Sequence, residues 1–284
     1  MPAVSVVLRA RNEAASLPEV LRALARQTMV EAEWIVVDHG SSDTTPELAR
    51  GAGARLLRLP EGEFSYGRAL NLGFAAARAP VAVSLSAHAA PVSPDWLQAL
   101  LAPLACADVA ASFGPEQPRP DAGAVVRRAL RRRYAGLAQH DLRREGGLTF
   151  GNANAAVRLD VWRRFRFDEA LPYAEDLEWS MRVMAAGYRV VYTPRARVYH
   201  SHRDSPLQAH RRAYAEGMAA GHLGRPLRHH RWAGLCATLA AGTLLDAWTL
   251  AAARSGPAEW AQALRCRWAR SMGGWRGYQA GRRQ

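Results

Sequence analysis

The chain has 284 residues, 49% of them hydrophobic, and a formal net charge of +13. This length and composition support a sizeable core and exclude a disordered chain as the default. The charge is uneven, because residues 201–284 carry 13 arginines and four acidic residues, a surplus of +9, whereas residues 1–200 carry only +4. No Lys occurs, which we interpret partly as a coding bias, so charge alone is weak evidence for an anionic partner.

Three cysteines, Cys106, Cys236 and Cys266, are widely spaced and form no C-x-x-C pair. Their number and spacing argue against a disulfide framework and against a zinc knuckle. A reducing cytosol fits this pattern best. Residues 1–9 lack the charged start and the apolar stretch of a signal peptide, so we do not expect export.

Strands and helices alternate through the first 105 residues. Apolar, β-branched runs predict strands and amphipathic runs predict helices, and their alternation indicates a parallel sheet. Ligands of open α/β sheets bind beyond the carboxyl ends of the strands, where three polar clusters lie at residues 9–13, 38–43 and 86–88. The predicted strands are 4–8, 34–37, 55–59 and 80–85, and the predicted helices are 16–27, 45–51, 64–78 and 94–104.

Four more strands are predicted after residue 105. They cover residues 109–113, 149–158, 189–192 and 197–200, with a helix at 175–186. An Arg-dense helix near 127–133 has the composition of a solvated helix face. We expect a domain at 1–204 and a basic helical extension at 205–284.

The extension contains an apolar-leaning run at 232–253. It is long enough to cross a bilayer but contains Asp246, so we expect a buried or interfacial helix. The flanking arginines fit docking on an anionic membrane surface and ordinary packing equally well.

Several polar clusters have simple structural interpretations. Glu175 and Asp176 stand at a predicted helix start, where the macrodipole favours acids. Ser41, Ser42 or Asp43 suits the N-cap of the second helix, although the same strand-end acid and small-residue turn suit a nucleotide's base or ribose. Residues 11–13 have the composition of a helix entry.

The order and spacing of these motifs resemble the nucleotide-binding half of family 2 glycosyltransferases with the GT-A fold. The similar segments begin with VSVVLRARNE (4–13), WIVVDHGSSDTT (34–45) and GRALNLG (67–73). They continue at 86–96, 114–121, 150–154, FDEALPYAEDLEW (167–179) and YHSH (199–202), the last two being most similar to the rhamnosyltransferase-like branch. The resemblance covers about residues 3–215. It implies an α/β fold with a mixed, mostly parallel sheet flanked by helices, followed by a helical C-terminal extension.

The resemblance also implies site residues for a nucleotide-sugar donor. Asp38 is expected to accept a hydrogen bond from a pyrimidine N–H, and Glu13 is expected near the ribose. Arg68 and Asn71 are expected to line the same cleft. The remaining nucleotide-binding residues implied in this way are Arg9, Arg11, Asn12, Ser41 and Asp43.

The family's Asp-x-Asp metal motif falls on Ser86, Ala87 and His88, so neither aspartate is present. Three explanations stay open for His88. It ligates a divalent metal such as Mn²⁺ or Mg²⁺ together with His200 or His202, it supplies positive charge to the diphosphate without a metal, or it is an ordinary loop residue. Side-chain alternation along the last strand favours His200 as the inward-facing histidine.

Sugar transfer needs a base for the acceptor hydroxyl. The Glu-Asp motif of the family implies Asp176 as the catalytic base and Glu175 as a supporting hydrogen-bond acceptor. Trp179 lies three positions later, close to the same helix face, and either forms the floor of the acceptor site or belongs to the core.

We therefore expect an inverting glycosyltransferase of polysaccharide and cell-envelope biosynthesis. Rhamnose from a dTDP donor is the first choice, with a glycan or lipid-linked acceptor. We expect it in the cytoplasm, or peripherally bound at the inner face of the plasma membrane. A catalytically degenerate nucleotide-sugar or glycan-binding protein is the alternative. Nucleic-acid binding is not expected, because no signature accompanies the Arg surplus.

Overall fold

The computed structural model of the chain describes residues 2–29, 31–60, 62–135, 150–202, 204–224 and 232–283. These residues separate into two compact units. The first contains residues 1–117, 133–171 and 175–200, and the second contains residues 118–132, 172–174 and 201–284. The longest segment of the second unit begins at residue 201. The second unit also includes two earlier segments that a linear boundary does not anticipate.

The first unit is built on a seven-stranded sheet with the strand order β3-β2-β1-β4-β8-β6-β9. The strand β8 is antiparallel to its neighbours β4 and β6, and the other neighbours run parallel. This confirms the expected mixed, mostly parallel sheet. A small second sheet has the order β5-β10-β7. The strands are β1 (Val4–Ala10), β2 (Ala32–Asp38), β3 (Arg55–Arg58), β4 (Val81–Ser86), β5 (Ala90–Pro91), β6 (Val109–Phe113), β7 (Glu116–Gln117), β8 (Asn154–Arg158), β9 (Arg189–Tyr192) and β10 (Val198–Tyr199).

Helices follow most of these strands. Their starts are marked by Pro in the first turn of α1, α2, α8 and α10, where the missing N–H carries no cost. The helices are α1 (Leu17–Ala25), α2 (Thr45–Gly51), α3 (Tyr66–Ala76), α4 (Trp96–Leu101, continued by a 3₁₀ turn at Ala102–Ala105), α5 (Ala124–Tyr134), α6 (Leu159–Arg164), α7 (Glu175–Ala185), α8 (Pro206–His222), α9 (Trp232–Ala252) and α10 (Pro257–Gly281).

Both faces of the large sheet are buried. Along β1, Val6 and Leu8 belong to one hydrophobic cluster and Val7 to the other, because successive side chains point to opposite faces. In β2, Val36 lies in the first cluster and Ile35 in the second. Helices cover both faces, which explains why the strands read as continuous apolar runs rather than as alternating ones.

Most predicted elements agree with the structure to within three residues at each end. The predicted strand at 149–158 begins at Asn154, and residue 149 lies outside the described residues. The two-residue strands β5 and β7 and the helix α6 were not predicted. Each is shorter than the window over which apolar periodicity is recognisable.

In the second unit, α8 and α10 approach each other backbone to backbone. A Cβ on Gly221 would lie 2.5 Å from the Tyr278 carbonyl oxygen, and Gly217, Gly273 and Gly277 also face the backbone of the opposite helix. These glycines recur every four residues on each helix, as in closely packed helix pairs. The helix α9 packs on α10, where Gly242 contacts the Arg267 guanidinium.

Candidate active site

Glu175 and Asp176 are the first two residues of α7. The residue before them, Ala174, has a left-handed backbone with φ of 63°, which is an uncommon conformation for a residue with a Cβ. Glu175 is only 4% exposed. Asp176 is half-buried, and its two oxygens accept hydrogen bonds from the backbone N–H groups of Leu177 at 2.8 Å and Asn152 at 3.2 Å.

The environment of this pair disfavours two negative charges. Burial raises the pKa of Glu175 to about 7, the charge of Asp176 adds to the rise, and Arg9 and the Asn152 amide oppose it. Burial also raises the pKa of Asp176, against the two backbone N–H groups and the charges of Arg9 and Arg133. Because backbone donors stabilise the ionised form, we place the remaining charge on Asp176 and the proton on Glu175.

Arg9 lies beside the acidic pair at the end of β1. Its Nη1 is 3.8 Å from Glu175 Oε1, and its guanidinium carbon is 5.0 Å from the centroid of the Tyr66 ring. The Nε and Nη1 atoms are buried and have no hydrogen-bond partner in the described part of the chain. Buried donors are normally hydrogen-bonded, so these two nitrogen atoms are suited to donate hydrogen bonds to an anionic group.

Asp38, at the end of β2, is 4% exposed. Its Oδ2 accepts a hydrogen bond from the Ser41 backbone N–H at 3.3 Å, while Oδ1 is buried without a partner among the described residues. A buried carboxylate oxygen without a donor is costly, so this atom is suited to an N–H group of a ligand. Its position at a strand end agrees with the predicted nucleotide site.

Asn12, Ser41 and Asp43 tie together the loops that follow β1 and β2. Ser41 Oγ accepts from the Asn12 backbone N–H at 2.9 Å, and Asp43 Oδ2 accepts from the Ala14 N–H at 3.1 Å. A hydrogen bond from the Thr45 hydroxyl lowers the pKa of Asp43. These contacts hold the backbones of the two loops in place.

The N-cap interpretation of this segment is wrong. The helix α2 begins at Thr45, and its N-cap is Thr44, which makes no side-chain capping bond. The backbone N–H of Thr45 is instead bonded to Asp43 Oδ1 at 3.0 Å.

Three predicted nucleotide residues have other surroundings. Arg11 is exposed. Arg68 pairs with Glu63 at 2.6 Å and with Glu169 at 3.0 Å. The Asn71 amide donates to the Phe167 carbonyl and to Glu169 and accepts from the Trp162 indole and the Phe167 N–H, so each of its polar atoms is bonded within the protein. These contacts are structural, and we leave Arg68 and Asn71 out of the proposed site.

His88 and His200 are brought together although they are far apart in sequence. Their rings stack with centroids 4.9 Å apart and planes inclined by 13°. His88 Nδ1 donates to Glu13 Oε1 at 2.7 Å, and its Nε2 is 3.2 Å from Ser86 Oγ. His200 is buried, as the side-chain alternation predicts, and its Nδ1 bonds to Glu116. Glu13, predicted near the ribose, therefore orients an imidazole in this structure.

Glu116 is held by several positive or hydrogen-bonding groups. Burial alone would raise its pKa, but the hydrogen bond from His200 and the charges of His200 and Arg133 outweigh burial and lower the pKa to about 2. The Tyr134 hydroxyl also donates to Glu116 at 3.0 Å. Glu116 is thus an anion that fixes the orientation of the His200 ring.

This arrangement fits a transition-metal ion. The ligand nitrogens of His88 and His200 lie within 4.8 Å of each other, and each Nδ1 is bonded to a carboxylate, as is usual for metal-binding histidines. Imidazole ligands suit Mn²⁺ and later transition metals better than Mg²⁺. Ala87 is fully buried and offers no side-chain contact. His202 belongs to the second unit.

Trp179 does not form an acceptor floor in this structure. It is fully buried, packs on Phe150 and Phe167 with ring centroids 5.6 and 5.5 Å away, and donates its indole N–H to the Phe165 carbonyl. The core interpretation is therefore the correct one, because an aromatic residue three positions after Asp176 follows the helix face that packs against the sheet.

Sequence reasoning missed four contributors to the site, namely Tyr66, Glu116, Arg133 and Asn152. Asn152 lies in the FGNAN segment and Glu116 in the GPEQ segment, and both segments belong to the family resemblance. The sequence therefore identified the motifs but did not predict which residues these two side chains contact. Arg133 is part of the Arg-dense helix, where one arginine could not be told from another by sequence.

The sequence profile of glycosyl transferase family 2 matches residues 5–163. The chain belongs to this family and is a glycosyltransferase. Two relatives are O-antigen chain rhamnosyltransferases from Salmonella typhimurium and Salmonella anatum, each 27% identical. The alignments cover 76% and 77% of this chain and 71% and 72% of those proteins.

Solved structures show the same fold. A mannosyltransferase from Pyrobaculum calidifontis in complex with GDP-Man and Mn²⁺ has a TM-score of 0.64 and 21% identity, covering 96% of this chain and 87% of that one. Glucosyl-3-phosphoglycerate synthase from Mycobacterium tuberculosis, in complex with Mn²⁺, UDP and phosphoglyceric acid, has a TM-score of 0.59 and 20% identity, covering 80% of each chain. These likenesses confirm the GT-A fold.

Proposed function

We propose that this glycosyltransferase transfers rhamnose from dTDP-rhamnose, with inversion, to a glycan or lipid-linked acceptor. The rhamnose donor is supported by the two relatives that are named O-antigen chain rhamnosyltransferases. The observation that carries the mechanism is the environment of Asp176, a carboxylate held by two backbone N–H groups beside Glu175, whose pKa burial raises to about 7.

In this mechanism Asp176 accepts the proton of the acceptor hydroxyl. The acceptor oxygen bonds to the anomeric carbon as the bond from that carbon to the donor phosphate breaks, and the nucleoside diphosphate leaves. In this mechanism Glu175 is protonated, so Asp176 is the only carboxylate anion of the pair. Its negative charge is therefore available to accept the proton of the acceptor hydroxyl. One base and no protein nucleophile are sufficient for a displacement with inversion.

The donor nucleotide is held by groups with polar atoms that have no hydrogen-bond partner among the described residues. Asp38 Oδ1 accepts a hydrogen bond from the N–H group of the pyrimidine base. Arg9 supplies its unused Nε and Nη1 donors to the diphosphate, and planar guanidinium groups match phosphate oxygens well. Asn12, Ser41 and Asp43 fix the loops around the nucleotide, and Arg11 remains exposed beside them.

A divalent metal, with Mn²⁺ preferred, would be held by the Nε2 atoms of His88 and His200. When bound, such an ion neutralises the charge that develops on the leaving diphosphate. Glu13 and Glu116 orient the two rings through their Nδ1 atoms, and Ser86 lies beside the His88 Nε2. The competing explanation, positive charge from protonated His88 without a metal, uses the same residues.

We place the reaction in the cytoplasm, at the inner face of the plasma membrane, in the synthesis of a cell-envelope polysaccharide. The two relatives named O-antigen chain rhamnosyltransferases support the polysaccharide part of this proposal. A catalytically inactive nucleotide-sugar-binding protein would bind the donor without releasing diphosphate.

The test is nucleotide release from a panel of donors. Purified protein is incubated with dTDP-rhamnose, GDP-mannose and UDP-N-acetylglucosamine, with Mn²⁺, with Mg²⁺ or with a chelator. We expect dTDP to be released from dTDP-rhamnose faster than GDP or UDP is released from the other donors. We also expect Mn²⁺ to raise this rate more than Mg²⁺ does. Binding of every donor without release would support the inactive alternative, and equal rates with chelator would favour protonated His88 over a metal.

A further inference from the structure

The helix α9 has an inverted distribution of polarity. It is 21 residues long and, among the described residues, it is the only helix long and apolar enough to cross a membrane. Only 17% of its most apolar 18-residue segment is buried, however. The exposed fractions of Leu244 and Trp248 are 72% and 68%, whereas Asp246 is 1% exposed. A soluble helix normally shows the opposite pattern, with apolar residues inside and charges outside.

The exposed residues of α9 form a continuous apolar stripe. Ala237, Ala240, Leu244, Trp248 and Ala251 recur at the helical spacing of three or four, and no residue in the exposed class on this helix carries a charge. Exposed apolar surface of this extent marks an interaction site on a soluble protein.

Asp246 is anchored to the protein interior of the second unit. It accepts hydrogen bonds from Arg128 of α5 at 2.6 Å and from Nε and Nη2 of Arg267 on α10 at 2.8 Å each. Moving α9 across a bilayer would break this cluster or carry two arginines into hydrocarbon, and both are costly. The helix can therefore present only its outer stripe to an apolar phase.

The charges near α9 in the chain favour one occupant. Arg254 is exposed two residues after α9, Arg265 and Arg276 are exposed on α10, and Arg282 is exposed directly after α10, whereas no acidic residue between 232 and 283 is in the exposed class. A second copy of the chain would bring like charges together, whereas anionic lipid headgroups neutralise them. Exposed Trp232 and Trp268 on the same two helices suit the interface between headgroups and acyl chains.

We propose that the outer stripe of α9 docks in the plane of an anionic lipid surface, with the surrounding arginines on the headgroups. This inference deepens the membrane placement in the proposed function, but its failure is distinguishable from failure of the proposed reaction, because it rests only on the C-terminal unit and its test measures binding. A glycosyltransferase with a lipid-linked acceptor would gain from such docking, since the enzyme and its acceptor would then lie at the same membrane surface.

Vesicle sedimentation tests the proposal. The full chain is mixed with vesicles of phosphatidylglycerol and phosphatidylcholine in equal parts, or of phosphatidylcholine alone. We expect partition to the anionic vesicles that weakens with salt. The double variant Leu244→Gln/Trp248→Gln should bind at least about tenfold more weakly, and Arg265→Gln about fivefold more weakly.

Met181→Gln is the matched control, because Met181 is 38% exposed on α7 in the first unit. It should bind vesicles like the wild-type protein. Circular dichroism and thermal melting check that each variant is folded. Equal sedimentation of the wild-type protein and the double variant would overturn the proposal. So would a dimer, seen by light scattering, that is lost in the double variant while vesicles are not bound.

A second measurement locates the stripe without altering it. Cys236 is exposed on α9 and Cys106 is exposed in the first unit. Each is labelled in turn with an environment-sensitive fluorophore in a chain whose other two cysteines are Ser. Anionic vesicles should blue-shift the Cys236 probe and leave the Cys106 probe unchanged. Quenching of the Cys236 probe should be strongest with lipids labelled near the headgroup, and strongest quenching at the bilayer centre would overturn in-plane docking.

Discussion

Two acidic sites in this protein are buried with opposite sets of partners. In the first unit, Glu175 has its nearest arginine nitrogen, Nη1 of Arg9, at 3.8 Å, and Asp176 is stabilised by two backbone N–H groups and by the charges of Arg9 and Arg133. In the second unit, Asp246 is bound by Arg128 and by both the Nε and Nη2 atoms of Arg267. The first site is therefore short of positive charge, whereas the second is fully compensated.

The contrast indicates what each site is for. An undercompensated acid pair holds a proton and keeps basic character, which is useful for proton transfer but costs stability. Asp246 is bound by one arginine through two nitrogen atoms and by a second arginine, so it is a poor proton acceptor. Its contacts instead fix α5, α9 and α10 relative to one another. Burial alone thus does not distinguish a catalytic acid from a structural one; the partners do.

The largest expected effect is on the catalytic side of this contrast. Asp176→Asn should lower the transfer rate about 100- to 10,000-fold, because the amide cannot accept the acceptor proton. Nucleotide binding, measured by calorimetry with dTDP, should be unchanged. Glu178→Gln is the control on the same helix, since Glu178 pairs with Arg182 at 2.8 Å, and its rate should stay near wild type. Equal rates for the two variants would remove Asp176 from the mechanism.

The structural side predicts the reverse phenotype. Asp246→Asn should lower the free energy of unfolding by about 3–5 kcal/mol, because it leaves two arginine side chains without their anion. Glu47→Gln breaks an exposed pair with Arg50 at 3.5 Å and should cost less than about 0.5 kcal/mol. Urea unfolding of both variants measures the difference. A cost for Asp246→Asn no larger than that of the control would show that Asp246 is not a structural anchor.

The acid pair should also leave a signature in the pH dependence of stability. The pKa of Glu175 is about 7 in the folded protein and 4.5 ordinarily, so between those pH values the folded state binds more protons than the unfolded state. Stability due to this group is therefore complete below about pH 4.5 and falls as pH rises to 7, by about 3 kcal/mol. Glu175→Gln should flatten that fall in urea unfolding between about pH 5 and 8. A profile as steep as that of wild type would show that Glu175 does not titrate in this range.

A smaller effect is expected at Glu116, a buried acid that is compensated by a histidine rather than by an arginine pair. Glu116→Gln should weaken Mn²⁺ binding about 10- to 100-fold, because the His200 ring loses the carboxylate that orients it. Binding is measured by calorimetry or by electron paramagnetic resonance of Mn²⁺. Glu63→Gln, at an exposed partner of Arg68, is the control. Unchanged affinity would argue that His200 is not a ligand.

The fold of the first unit was largely predictable, because burial there follows hydrophobicity. Val6, Val7 and Leu8 point alternately into two cores, and an apolar run is the direct trace of such a strand. The strands β5 and β7 escaped prediction because two residues carry no periodicity. Burial does not follow hydrophobicity in the second unit, where Asp246 of α9 is buried and Trp248 is exposed. The buried face of α9 could therefore not be predicted from its apolar residues.

The candidate site was predictable in its motifs and less so in its contacts. Asp38, Glu175 and Asp176 were identified from strand ends and a helix start. The bonds from Glu13 to His88 and from Glu116 to His200 join residues 75 and 84 positions apart, and only the folded chain brings them together. The contacts of Asn71 could not be predicted for the same reason, because its partners at residues 162–169 are equally remote in sequence.

The central claim is that Asp176 acts as a base and not as a nucleophile. Loss of activity in Asp176→Asn is expected for either role, so the stereochemistry of transfer is the more direct test. Nuclear magnetic resonance of the product from dTDP-rhamnose gives the anomeric configuration of the new linkage through its one-bond C1–H1 coupling. The account predicts a configuration opposite to that of the donor. A product that retains the donor configuration would require a covalent or front-face mechanism and would contradict it.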